Sequence, residues 1–332
     1  MDKRDEIIEL QYQLIDQLAS RNFTNIYQDF WGYPPKPEQE GDAPSGETPP
    51  QENAQATSSP DAPAGNEEIP KEKIEDLLAE LDEYIGLEAI KDEVRDLINL
   101  IKINRLRREH DLPTPDLSLH MVFAGNPGTG KTMMARLMAR VYHSLDILSK
   151  GHLVEVDRSG LVAGYVGQTA LKTAEVIEKA LGGVLFIDEA YALSPEHAEN
   201  DYGREAIETI LKAMEDHRDD LIVIVAGYSE LMDHFINSNP GLKSRFNRYL
   251  FFEDYTEDEM VEIFKMRCAK SSYHLRDEEA EETLRERLRF ERKSEDFGNA
   301  RAASAISLKK FLLPSRTGLP KAKRSQRKCS WS

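Results

Sequence analysis

Cysteine is nearly absent from this chain: Cys268 and Cys329 are the only two in 332 residues. Two thiols cannot build a disulfide framework, so a reducing, cytoplasmic compartment is the expectation. Long apolar runs are missing too. The longest hold six residues or fewer, as at 221–226, against the ~20 that a membrane-spanning helix needs. Residues 1–6 contain no apolar signal core, and no membrane association is expected. The eight histidines show no metal-ligand spacing with cysteine or glutamate, so zinc is not indicated. No Gly-x-Ser-x-Gly elbow marks a hydrolytic serine.

An excess of positive charge is lacking as well. The net charge of −17 argues against nucleic-acid or anionic-membrane binding by the surface as a whole. The charge is unevenly spread, however: residues 1–33 carry −3, 34–70 carry −7, 71–300 carry −16 and 301–332 carry +9.

What is present divides the chain into five expected parts. Residues 1–33 read as an N-terminal helical element, with Ile7, Leu14, Ile15 and Leu18 in one stripe and Phe23, Ile26, Tyr27 and Phe30 in a second. A self-packed hairpin and a docking element for a partner are both open readings of it. Residues 34–73 read as a disordered acidic linker. Nine of the 16 prolines fall within 34–70, where no aromatic residue occurs and Ile69 is the only branched aliphatic one. From 74 to 254, helical patterns at 88–109, 131–145, 169–181 and 203–217 alternate with β-rich runs at 119–124, 152–156, 184–187, 221–226 and 249–252. That is the pattern of an α/β domain with a parallel sheet. Beyond Tyr255 strands are no longer expected. Thr256-Glu257-Asp258-Glu259 is a capping box opening a helix with Met260, Ile263 and Phe264 on one face, and a second helix covers 277–291. Residues 255–313 therefore form a small all-helical lid, incomplete at its end, and 314–332 a disordered basic tail.

The chemistry concentrates in two segments. Gly125-Asn126-Pro127-Gly128-Thr129-Gly130-Lys131-Thr132 matches the P-loop pattern in full, after an apolar strand and before a helix. Such glycines let backbone N–H groups curl around phosphate oxygens, and the helix N-terminus adds positive potential. Lys131 would reach the β- and γ-phosphates of ATP, the Thr132 hydroxyl would ligate Mg²⁺, and Met133 follows as part of the nucleotide-binding stretch. The second segment is the apolar run 184–187 followed by Asp188-Glu189. Two carboxylates at a buried strand end are costly without a task. Asp188 would hold Mg²⁺ and Glu189 would polarise the water that attacks the γ-phosphate. A small-molecule kinase has no need of such a glutamate, and no Asn/Thr-Lys-x-Asp guanine signature occurs, so ATP hydrolysis is favoured.

Five separated motifs, GNPGTGKT, FIDEA, DYGREAIETIL, AGYSELMDHFINSNPGLKSRF and FGNAR, together resemble the AAA+ ATPases. They look most like the branch holding red-type Rubisco activase and stage V sporulation protein K. The resemblance covers about residues 74–301. It implies a P-loop α/β module with a helical lid, assembled as a ring homo-oligomer, usually a hexamer, that remodels a protein substrate by pulling it through a central pore. The neighbouring subunit would supply an arginine to the transferring phosphoryl group. Arg245 matches that finger, and Arg248 is an open candidate for a second. Arg301 matches the lid arginine that senses the γ-phosphate. Ile85 and Gly86, with Tyr84, match the segment that covers adenine, although an ordinary helix start reads as well. Tyr165-Val166-Gly167 fits the aromatic–aliphatic–glycine pore loop that grips substrate. The residue sensing phosphate after the fourth strand is left open between Tyr228 and Ser229. An ATP-switched adaptor that recruits a partner through the N-terminal helices is the alternative function.

After Arg301 the chain departs from the family pattern. Its run of basic residues reads either as an electrostatic tail or as a shifted reading frame that has replaced the last lid helix. The second is favoured, and nucleic acid is not expected as a partner unless the tail is genuine.

Overall fold

The computed structural model describes residues 71–114, 117–165, 167–195, 202–270, 273–275, 277–292, 298–301 and 312–314. The helical element expected at 1–33, the Pro-rich segment up to residue 70, Val166 and the tail beyond 314 lie outside them.

Five strands form one parallel sheet: β1 (Met121–Gly125), β2 (Leu153–Val156), β3 (Val184–Ile187), β4 (Ile222–Gly227) and β5 (Arg248–Phe252). The spatial order is β2-β3-β4-β1-β5, with all four neighbouring pairs parallel. β1, β3 and β4 are apolar and buried along their whole length, as strands covered on both faces must be. Successive side chains point to opposite faces. Phe123, Phe186, Ile224 and Phe252 therefore join one cluster with the helices α1 (Ile74–Glu83), α2 (Glu88–Glu109) and α3 (Lys131–Ser144). Val122, Leu185, Val223 and Val225 join the other, covered by α5 (Gln168–Ala180), α6 (Gly203–Asp216), α7 (Ser229–Asn237) and α8 (Pro240–Arg245). A short α4 (Arg158–Leu161) follows β2 and is capped by Asp157, whose carboxylate accepts from the Gly160 N–H.

The lid begins where the capping box places it. Thr256 N–H donates to the Glu259 carboxylate at 2.7 Å and Glu259 N–H to the Thr256 hydroxyl at 3.3 Å, opening α9 (Glu257–Lys270). Met260, Ile263 and Phe264 face inward, against Leu284 and Leu288 of α10 (Glu278–Glu291). Arg285 and Arg289 tie the two helices across Glu257 and Asp258. One feature departs from the all-helical expectation: β6 (Tyr273–Leu275) pairs antiparallel with β7 (Leu312–Pro314). Three-residue strands are too short to show a period-two pattern, and their partners are far apart in sequence.

Candidate functional site: a phosphate cleft at the carboxyl ends of the strands

β1, β3 and β4 lie side by side, and each ends at the same edge of the sheet. Their C-terminal residues open into a cleft of about 440 Å³, roofed by the lid. β1 delivers the P-loop, β3 delivers Asp188 and Glu189, and β4 delivers Gly227 and Tyr228. The lid contributes Arg267, Ala300 and Arg301.

The loop from 125 to 130 is held open by its own backbone and its glycines. Gly128 adopts a left-handed φ of +74°, and a Cβ there would stand 2.1 Å from the Gly298 carbonyl oxygen. Only glycine fits that position. The buried Thr129 hydroxyl donates to the Asn126 carbonyl at 2.8 Å, closing the turn. Lys131, on the first turn of α3, donates to the carbonyls of Gly125 and Asn126, both at 2.8 Å. Its ammonium thus lies across the mouth of the loop. Burial lowers its pKa, and the Asp188 charge opposes that shift while Arg301 adds to it.

Asp188 and Glu189 diverge at the end of β3. The Asp188 carboxylate accepts from the Glu189 N–H at 3.0 Å. Glu189 sits at φ +49°, the left-handed region that a non-glycine residue rarely occupies. This turns its side chain out of the strand line into an exposed position in the cleft. Strain of this kind costs ~1–3 kcal/mol and is concentrated at working sites.

Most of the residues picked from the sequence meet here. Gly125, Pro127, Gly128, Gly130, Lys131, Thr132, Met133, Asp188, Glu189 and Arg301 all line the cleft. Asn126 and Thr129 brace it from behind: the Asn126 amide donates to Asp254 at 2.9 and 3.1 Å, and Tyr255 OH donates to the Thr129 carbonyl at 3.2 Å. Burial, followed by the Glu259 charge, pushes the Tyr255 phenol up to about 12, so it stays a donor at neutral pH. Of the two residues left open after β4, Tyr228 lines the cleft, whereas Ser229 starts α7 and does not.

Ile85 and Gly86 are not among the lining residues. Ile85 packs against the lid core, and Gly86, at φ +66°, backs onto the Glu259 carboxylate. Arg245 stands away from the cleft, at the C-terminal end of α8, with its guanidinium 2.9 Å from Glu215. Arg248 is only 7% exposed. Its Nε donates to the Ser118 carbonyl at 2.9 Å, so it anchors β5 and does not present itself as a second finger. Tyr165, by contrast, is 73% exposed, and Gly167 caps α5 at φ +77° with open space around it. Arg267 went unnoticed in the sequence. It is one exposed arginine on a charged helix, and only the folding of α9 over the cleft singles it out.

Residues 121–254 match the family model described as "ATPase family associated with various cellular activities (AAA)", and residues 256–309 match the AAA lid domain. Protein CbxX, plasmid, of Cupriavidus necator is 46% identical over 250 residues, which cover 75% of this chain and 78% of that one. The chain belongs to the AAA ATPases. Among other relatives of this AAA ATPase, Protein CbbX of Cereibacter sphaeroides is 46% identical over 228 residues, 68% of this chain and 74% of that one. The chloroplastic ribulose bisphosphate carboxylase/oxygenase activase of Cyanidioschyzon merolae is 44% identical over 236 residues, 71% and 80% of the two chains. The AAA ATPase is therefore an ATP-binding enzyme of the branch that includes the red-type activases. The lid model runs to residue 309, eight beyond Arg301. The departure from the family accordingly begins later than the motifs suggested, because the segment after FGNAR carries no short signature by which to recognise it. Among the described residues, no helix is long and apolar enough to cross a membrane.

Proposed function

We propose that this AAA ATPase is a protein-remodelling motor that assembles as a ring, binds ATP with Mg²⁺ and draws a protein segment through a central pore. Residues 74–254 are taken as its nucleotide-binding domain and 255–313 as its lid. The observation that carries the reading is the division of the arginines: Arg301 lines the cleft, whereas Arg245 stands outside it. A cleft with its own lysine and carboxylates but with its expected finger elsewhere is completed by the Arg245 of a neighbouring copy.

In the reading we adopt, the P-loop N–H groups cradle the phosphates and Lys131 leaves the Gly125 and Asn126 carbonyls for the β- and γ-phosphate oxygens. Glu189 accepts a proton from the attacking water, the β–γ bridging oxygen departs with ADP, and the arginines stabilise the charge that develops on the phosphoryl group. The Thr132 hydroxyl and the Asp188 carboxylate are hard oxygen donors facing one cleft, a set that fits Mg²⁺. The ion would neutralise phosphate charge there. Ile85 and Gly86 are retained as neighbours of the adenine end, and Tyr228 as the polar group next to the γ-phosphate. Tyr165, exposed beside Gly164 and Gly167, supplies the grip on substrate with Val166 and Gly167. A reducing, cytoplasmic setting rests on the two cysteines, of which Cys268 is buried and free.

Given its relatives, Rubisco is the first substrate to test. Tyr165→Ala is expected to keep basal ATP turnover within about twofold while abolishing ATP-dependent stimulation of Rubisco carboxylation, because an exposed side chain contributes little to stability. If stimulation persists in that variant, the pore-loop reading is wrong. If the unaltered protein stimulates no Rubisco and turns ATP over slowly, an ATP-switched adaptor becomes the better description.

A further inference from the structure

The inner face of the P-loop is committed to phosphate; its outer face is committed to the lid. Four consecutive loop residues each have a partner either at 254–255, where the lid begins, or at 299–300 within it. The Asn126 amide donates to Asp254. The Pro127 carbonyl accepts from Asn299 Nδ2 at 3.3 Å, the Gly128 carbonyl from the Ala300 N–H at 3.2 Å, and the Thr129 carbonyl from Tyr255 OH at 3.2 Å.

Asn299 is the centre of this arrangement. It is fully buried and sits at φ +46°, a left-handed conformation that asparagine tolerates better than most residues. Besides the Pro127 contact, its Nδ2 donates to Asp254 Oδ1 at 2.8 Å and its Oδ1 accepts the Tyr255 N–H at 3.0 Å. The task requires an amide. A carboxylate could not donate to Pro127 and Asp254, and a hydroxyl is too short to span three partners. Two residues further on is Arg301, in the cleft.

We propose that Asn299 is a positioning residue, a latch between P-loop and lid that holds Arg301 over the γ-phosphate. The proposal rests on the assignment of Arg301 to the γ-phosphate given above. A latch acting through Arg301 governs discrimination between ATP and ADP. A residue that merely stabilises the fold would weaken both nucleotides alike.

The test is a double-mutant cycle on the full chain, reading affinity for fluorescent ATP and ADP analogues alongside turnover, with thermal unfolding as the control for folding. Asn299→Ser is expected to leave ADP affinity within about threefold but to lower ATP affinity and turnover about tenfold, the worth of one charge-assisted contact to phosphate. Combined with Arg301→Ala, it is expected to add nothing to the loss that Arg301→Ala causes alone. A second variant covers the case in which Asn299→Ser does not fold. The exchange Asp254→Asn with Asn299→Asp restores the bond between positions 254 and 299 with its polarity reversed, and is expected to recover part of the ATP preference that Asn299→Asp loses. Equal losses for ATP and ADP, multiplicative losses with Arg301→Ala, or no recovery in the exchange would each overturn the latch. A normal ATP preference in Arg301→Ala alone would overturn the assignment of Arg301, and the latch with it. A normal preference in Asn299→Ser beside a disturbed one in Arg301→Ala would overturn the latch only.

Discussion

Glu189 and Glu93 show what individual side chains contribute. Glu189 is held in a left-handed turn that costs energy, and it lines the cleft as an exposed side chain. Glu189→Gln is therefore expected to retain ATP but to lower turnover by about 10²–10⁴-fold, the usual worth of a positioned general base. Binding and hydrolysis assays on the same preparation check this, and retained turnover would remove Glu189 from its role. A residue far from the cleft gives a pH prediction. Burial pushes the Glu93 carboxyl on α2 from 4.5 up to about 7, with the Arg248 charge opposing and Asp96 assisting. The folded chain thus keeps a proton that the unfolded chain has released, and stability falls as pH rises from about 4.5 to about 7. Glu93→Gln is expected to be near neutral at pH 4.5 and to stabilise at pH 8 by up to about 3 kcal/mol, measurable by denaturant titration at the two pH values. Equal effects at both pH values would contradict it.

Elements explain which parts could be read in advance. β1, β3 and β4 are unbroken apolar runs bounded by glycines or acids, and α3 follows a P-loop, so their type and order were legible from residues alone. The capping box at Thr256 was equally plain, since both reciprocal bonds form. Thr256→Ala is expected to cost ~1 kcal/mol of lid stability, read as earlier loss of amide protection in α9. What could not be read is whatever depends on how the lid folds over the sheet. Arg267 looks like an ordinary lid residue in sequence, Asn299 sits in the FGNAR motif with no sign of what it bonds to, and the β6–β7 ribbon joins short segments separated by a helix and that motif. Arg248 stayed an open candidate for the same reason. An arginine next to a matching motif stays a candidate finger until its own side chain is found buried. The aromatic centre of the sheet sets the scale of the core, with Phe123 5.1 Å from Phe252 and 6.4 Å from Phe186 between ring centroids. Phe123→Ala is expected to cost ~3–5 kcal/mol.

At the scale of the whole molecule, the expected site residues fall in two places. Lys131, Thr132, Asp188, Glu189 and Arg301 meet in one cleft, while Arg245 rests against Glu215 on another face. The uneven charge fits this picture. Three cations, Lys131, Arg267 and Arg301, line the cleft beside Asp188 and Glu189, on a chain whose net charge is −17. The most direct test mixes two disabled proteins. Arg245→Ala keeps an intact cleft but offers no finger, whereas Glu189→Gln offers the finger but has no base. Each alone is expected to turn over ATP at a small fraction of the unaltered rate. Mixed in equal amounts under assembling conditions, they are expected to recover about a quarter of that rate, because about one interface in four pairs an intact Glu189 with an intact Arg245. A mixture no more active than its components would contradict the shared site on which the account depends.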